Sequence, residues 1–189
     1  MNILGVTLSF IKLLMTFPII VSGSSMLPTF YDGDMIFADR FPVVFGEVER
    51  GDVVVFNLPY ESARAYEGVD VGASDAVEDG RALLDYGDLY VKRVVGAPGD
   101  ELAIKDGYVY VNDERLKEPY VRRGTKTYGV VAEYPVLTAD GGGVKYTVPE
   151  DSYFLLGDNR ESSVDSRHFI LHYVSRADIR GVFTFLKFP

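Results

Sequence analysis

A mainly β protein built of short strands is what this sequence predicts, and three observations carry that expectation. Short runs rich in β-branched and aromatic residues recur, each bracketed by Gly, Pro or Asp. Two of these runs flank Asp106-Gly107, a hairpin signal because both turn residues tolerate positive φ. A long amphipathic helical period is hard to find beyond the N-terminus.

Taken in order, the expected strands are Met35 to Ala38, Asp52 to Phe56, Leu89 to Val95, Leu102 to Ile104, Tyr108 to Val111, Tyr153 to Leu156 and Val182 to Leu186. Their shortness and their turn residues predict a barrel-like or sandwich core. The length of 189 residues suits one domain. That domain is expected over 22–189, preceded by an apolar segment over 1–21. Two stretches read as insertions: an acidic loop over 60–88, and a flexible excursion over 122–144 that ends in Gly141-Gly142-Gly143.

The N-terminal run from Ile3 to Val21 is apolar except for Lys12, with Pro18 near its end. Its length fits membrane contact. It also fits a buried helix or strand of the core. A cleaved signal peptide fits less well, because no Lys or Arg precedes the run. A lone lysine inside a span costs about 2.5–3.5 kcal/mol unless it snorkels, so membrane attachment is a better match than a full crossing.

Composition then removes whole classes of chemistry. The chain has no cysteine, which excludes thiol catalysis and cysteine-bound metal. The net charge of −9 leaves no basic stripe for nucleic acid. Between Tyr60 and Asp88, eight acidic side chains face only Arg64 and Arg81, so much of the negative charge is local. No phosphate-binding loop, HExxH pair or dinucleotide fingerprint occurs, and no metal or cofactor is expected.

Three segments carry chemistry instead. Gly23-Ser24-Ser25-Met26-Leu27-Pro28-Thr29 combines a glycine turn and a fixed proline φ around a serine pair, a turn able to present one hydroxyl. Tyr90-Val91-Lys92-Arg93-Val94-Val95-Gly96 reads as a strand, in which Lys92 and Arg93 must point opposite ways. If Arg93 meets a carboxylate or solvent, Lys92 turns inward, and a desolvated lysine gives up its proton more readily. Gly157 to Arg167 packs Asp, Asn, Ser and Arg directly behind an apolar run, as a hydrogen-bonded network at a strand end would. Each segment alone also reads as an ordinary loop or edge strand.

Together the segments resemble the conserved boxes of bacterial type I signal peptidases. Ser25-Met26-Leu27-Pro28-Thr29 is similar to that family's SMxPT box, and Arg50 to Phe56 to its RGDIVVF-like strand. Tyr90 to Asp100 is similar to YxKRxxGxPGD, and Gly157 to Arg167 to GDNxxxSxDSR. The resemblance implies a folded antiparallel sheet core and an endopeptidase that removes signal peptides from exported preproteins. It implies Ser25 as nucleophile, Lys92 as general base and Ser163 as the hydroxyl that holds the lysine. It places Asp158 with Arg93, and Asp165 with Arg167, as structural ion pairs. Val21, Met26, Phe30 and Val91 would line a shallow pocket for small residues at −1 and −3 of the substrate.

Gly23 stands where some members carry a serine that helps the oxyanion. The Ser25 N–H and one further, unassigned donor would then form the oxyanion hole. The resemblance also implies a membrane-associated enzyme whose catalytic part faces away from the cytoplasm, in contact with lipid. Two other readings are another Ser/Lys peptidase of the same fold, such as the self-cleaving repressors, and a catalytically silent membrane-tethered binding protein.

Overall fold

The computed structural model of the chain describes residues 14–58, 89–129, 143–168 and 171–188. Eleven strands lie in these residues, all paired antiparallel. They are β1 (Thr16–Ile20), β2 (Met35–Asp39), β3 (Val53–Asn57), β4 (Leu89–Gly96), β5 (Glu101–Lys105) and β6 (Tyr108–Val111). After them come β7 (Glu114–Arg115), β8 (Val144–Thr147), β9 (Ser152–Leu156), β10 (Val174–Ser175) and β11 (Ile179–Phe188). One five-residue helix, α1 (Phe41–Phe45), and a single 3-10 turn complete the described elements. A seven-stranded sheet runs β1-β2-β11-β3-β4-β9-β10, and a four-stranded sheet runs β7-β6-β5-β8.

The central strand β3, Val-Val-Val-Phe-Asn, is apolar on both faces because both faces are covered. Val54 and Phe56 join Val94, Tyr153 and Leu155 in one buried cluster. Val53 and Val55 join Val21, Met26, Phe30 and Val91 in another. A third cluster joins the two sheets, with Leu102, Ile104, Val109 and Val111 packed against Phe154 and Leu156. Here Gly96 is required: a Cβ at that position would stand 2.6 Å from Leu102 Cδ1. The β5–β6 hairpin turns on Asp106 and Gly107, both at positive φ as the dipeptide predicts.

The seven expected strands are present, with ends shifted by up to three residues. Strands β1, β7, β8 and β10 are additions. Within the expected apolar segment over 1–21, Thr16–Ile20 is an edge strand in register with β2 from Thr16↔Asp39 to Ile20↔Met35. Phe17 and Ile19 turn onto the core while Pro18 and Ile20 turn outward, and proline is tolerated on such an edge. Residues 1–13 and the acidic 60–88 loop lie outside the described residues. Among the described residues no helix is long and apolar enough to cross a membrane. Within 122–144, Thr127 is buried, its N–H donating to Gly107 O at 3.0 Å, and residues 130–142 lie outside the described residues.

Candidate active site

Strand β1 delivers the chain into a tight turn at Gly23, whose φ of 85° few other residues adopt. The Gly23 N–H donates to Asp32 Oδ1 at 2.8 Å, and Leu27 N donates to Ser24 O at 3.1 Å. Met26 and Phe30 are sunk into the cluster containing Val21 and Val91, so apolar burial pins the residues around the serine. Ser25 itself is half-buried. The four expected pocket residues are thus neighbours in one buried group beside it.

Lys92 comes from β4, directly opposite Val54. It is 4% exposed, and its Nζ lies 2.8 Å from Ser25 Oγ and 3.0 Å from Val91 O. Burial pushes the amine down to about 8 from its ordinary 10.5, against the opposing pull of the Asp165 and Asp158 carboxylates. Arg93, on the other face, donates Nε and Nη2 to Asp158 at 2.8 and 2.7 Å. Its guanidinium also donates to Gly51 O and stacks 4.0 Å above the Tyr120 ring.

The 157–167 loop closes over both. Gly157 has no room for a side chain: a Cβ there would meet Ser163 Oγ at 2.2 Å and Ser25 O at 2.5 Å. Asp165, fully buried, accepts from Gly157 N at 3.0 Å and from Arg167 Nε at 2.7 Å and Nη2 at 2.9 Å. The buried Ser163 Oγ has no hydrogen-bond partner among the described residues, and Lys92 Nζ donates to Val91 O instead. The expected Ser163–Lys92 hydrogen bond is therefore not present in this arrangement.

Several contributors have no role in the sequence reading. Asn159 grips the serine turn twice, its N–H donating to Ser25 O and its Nδ2 to Ser24 O, both at 3.0 Å. Thr29 Oγ1 donates to Asp158, and Lys187 Nζ donates to Thr29 O at 3.1 Å while pairing with Asp34 at 2.7 Å. Arg50 Nη2 donates to both Asp100 oxygens, each at 2.7 Å, and so ties two of the quoted motifs together. A signal for Asn159 existed in its place between Asp158 and Arg160. Its target carbonyls are a matter of tertiary structure. His172 is exposed and stacks on Tyr173. No group of metal-ligating side chains occurs among the described residues.

A buried, partly neutralised amine touching a serine hydroxyl is an arrangement able to transfer a proton during nucleophilic attack. The family model described as "Signal peptidase, peptidase S26" matches residues 1–188. The chain is 35% identical over 175 residues to a signal peptidase I of Bacillus amyloliquefaciens, covering 91% of this chain and 74% of that protein. It is 34% identical over 172 residues to signal peptidase I T of Bacillus subtilis (strain 168), with the same coverage of each. A solved signal peptidase I from Enterococcus faecalis V583 is 27% identical and covers 73% of this chain and 97% of its own, with a TM-score of 0.44. The family model and the two Bacillus relatives define the class, a peptidase. The chain belongs to the signal peptidase family, peptidase S26.

Proposed function

We propose that this chain removes N-terminal signal peptides from exported preproteins, with Ser25 as nucleophile and Lys92 as general base. The observation that carries the reading is the 2.8 Å approach of Lys92 Nζ to Ser25 Oγ inside a buried setting. With one Nζ hydrogen given to Val91 O, the neutral amine has its lone pair free to take the Ser25 proton. Ser25 Oγ attacks the scissile carbonyl carbon as that proton moves to Lys92. The ammonium then protonates the leaving amine, freeing the mature protein and an acyl-serine. Lys92, neutral again, takes a proton from water as the water attacks the acyl carbon, then gives it to Ser25 Oγ as the ester bond breaks and the signal peptide leaves.

Ser163 serves this cycle as the hydroxyl next to the serine turn, without a hydrogen-bond partner among the described residues and able to accept from the ammonium once it forms. The Ser25 N–H and one further donor receive the oxyanion. Val21, Met26, Phe30 and Val91, packed as one buried apolar group beside Ser25, back the site and leave little depth there, which favours small residues at −1 and −3. The enzyme works at the membrane, its catalytic part on the extracytoplasmic face where preproteins emerge.

The test is incubation with a preprotein in detergent, with the new terminus read by mass spectrometry. A single cut after a small residue is expected; an intact preprotein would favour a tethered binding protein. The same assay gives a pH profile. Because Lys92 must be neutral, kcat/KM rises about tenfold per pH unit below about 8 and levels above it. A flat profile from about pH 6 to 9 would remove Lys92 from the role of base.

A further inference from the structure

One side chain holds both peptide units that flank the serine. Asn159 donates Nδ2 to Ser24 O and its own N–H to Ser25 O, each at 3.0 Å. Among the described residues the Ser25 N–H meets no acceptor. The peptide joining Ser24 to Ser25 is trans, so its C=O and N–H point opposite ways in one plane. A donor fixed on Ser24 O therefore turns the Ser25 N–H away from Asn159. Leu27 N donates to the same oxygen at 3.1 Å, which engages both of its lone pairs. Two hydrogen bonds on that carbonyl also polarise the amide and make its N–H a stronger donor.

The mount behind Asn159 is stiff. Its neighbours Asp158 and Arg160 are 1% and 3% exposed, and an opposite charge holds each of them. Asp158 receives Nε and Nη2 of Arg93. Arg160 pairs with Glu118 while donating to Gly157 O at 3.0 Å and to Thr127 Oγ1 at 2.8 Å. Ser162 N closes the turn by donating to Asn159 O at 3.1 Å. A short amide side chain set between two anchored residues keeps its direction.

We propose that Asn159 is a positioning residue for the oxyanion, holding the Ser24–Ser25 peptide so that the Ser25 N–H is aimed before substrate arrives. Charge forming on the scissile carbonyl oxygen then meets a fixed dipole, with no reorientation in the transition state. The proposal rests on the Ser25–Lys92 reaction and adds to it the group that aims its donor.

Asn159→Ala removes the Nδ2 contact and keeps the residue's own N–H on Ser25 O. With a preprotein in detergent, kcat falls about thirtyfold, less than the loss of a donor itself, and KM stays within about twofold. The midpoint of the pH profile stays in place, because neither asparagine nor alanine carries a charge. A tripeptide aldehyde ending in alanine gives a second readout. Ser25 Oγ adds to its carbonyl carbon as the Ser25 proton passes to Lys92, leaving a tetrahedral oxyanion at the site of the normal one. The variant binds this aldehyde about thirtyfold less tightly, and binds the matching peptide alcohol, which has no carbonyl to attack, as the parent does. Asn159→Ser, whose hydroxyl is too short to replace the amide, repeats the comparison should the alanine variant not fold. An unchanged kcat, a loss confined to KM, a shifted pH midpoint or equal weakening of aldehyde and alcohol would each overturn the role of Asn159 alone, since the parent still cleaves. A parent that leaves the preprotein whole would overturn the reaction and this inference together.

Discussion

Ser25→Ala and Lys92→Met each lower kcat/KM for a preprotein by about 10³-fold or more, and the double variant is no worse than the poorer single one. The two side chains act as one unit across a 2.8 Å contact, so removing either removes the proton transfer, and losses within such a unit do not add. Stability moves the other way for the lysine. The native amine titrates near 8 and an unfolded one near 10.5, so between these values the native state binds fewer protons and stability rises with pH. Below about pH 8 both states are protonated, and the buried charge costs the fold about 3 kcal/mol. Lys92→Met removes that charge at similar volume. Its Tm at pH 7 therefore exceeds the parent's by several degrees, a lead that shrinks as pH climbs from 8 towards 10.5. Calorimetry and the cleavage assay together check this. A variant that keeps a tenth of the activity, or one that melts earlier at pH 7, contradicts the assignment of Lys92 as a buried base.

What the sequence made legible divides along physical lines. The opposition of Lys92 and Arg93 follows from the two-residue period of a strand, and the structure places one against Ser25 and the other against Asp158. The Asp106-Gly107 hairpin was equally plain, since its turn chemistry is local. Strand β1 was hidden because the apolar run from Ile3 masks the alternation that begins at Thr16. Strands β7 and β10 are two residues each and exist only through their partners. Strand β8, Val-Lys-Tyr-Thr, begins at the last residue of what reads as an excursion, and its pairing with β5 depends on a neighbour far along the chain.

The site divides in the same way. A serine and a lysine 67 positions apart have no spacing rule, and only the resemblance of whole motifs joined them. Asn159 and the Asp34–Lys187 pair stayed unassigned because polar loop residues declare a function only when the carbonyls or charges they meet are known. Lys187 shows this most clearly. It lies near the end of the last strand, yet it grips the turn that follows the serine.

The largest stability effect is expected at Arg167. Its guanidinium and the Asp165 carboxylate are 4% and 0% exposed, and Asp165 carries the Gly157 N–H that holds the start of the loop. Arg167→Ala strands a buried carboxylate and costs about 3–5 kcal/mol by chemical denaturation. Arg167→Lys recovers little, because a point charge cannot replace a fork that meets both Asp165 oxygens. A loss below about 1 kcal/mol in Arg167→Ala would show that the pair is not structural. Asp165→Asn separates scaffold from electrostatics. Its amide keeps the shape but removes a negative charge that favours the Lys92 ammonium, so the Lys92 pKa falls further. The acid limb of the pH profile then moves to lower pH even as stability drops. A merely structural Asp165 would lower the height of the profile and leave its midpoint in place.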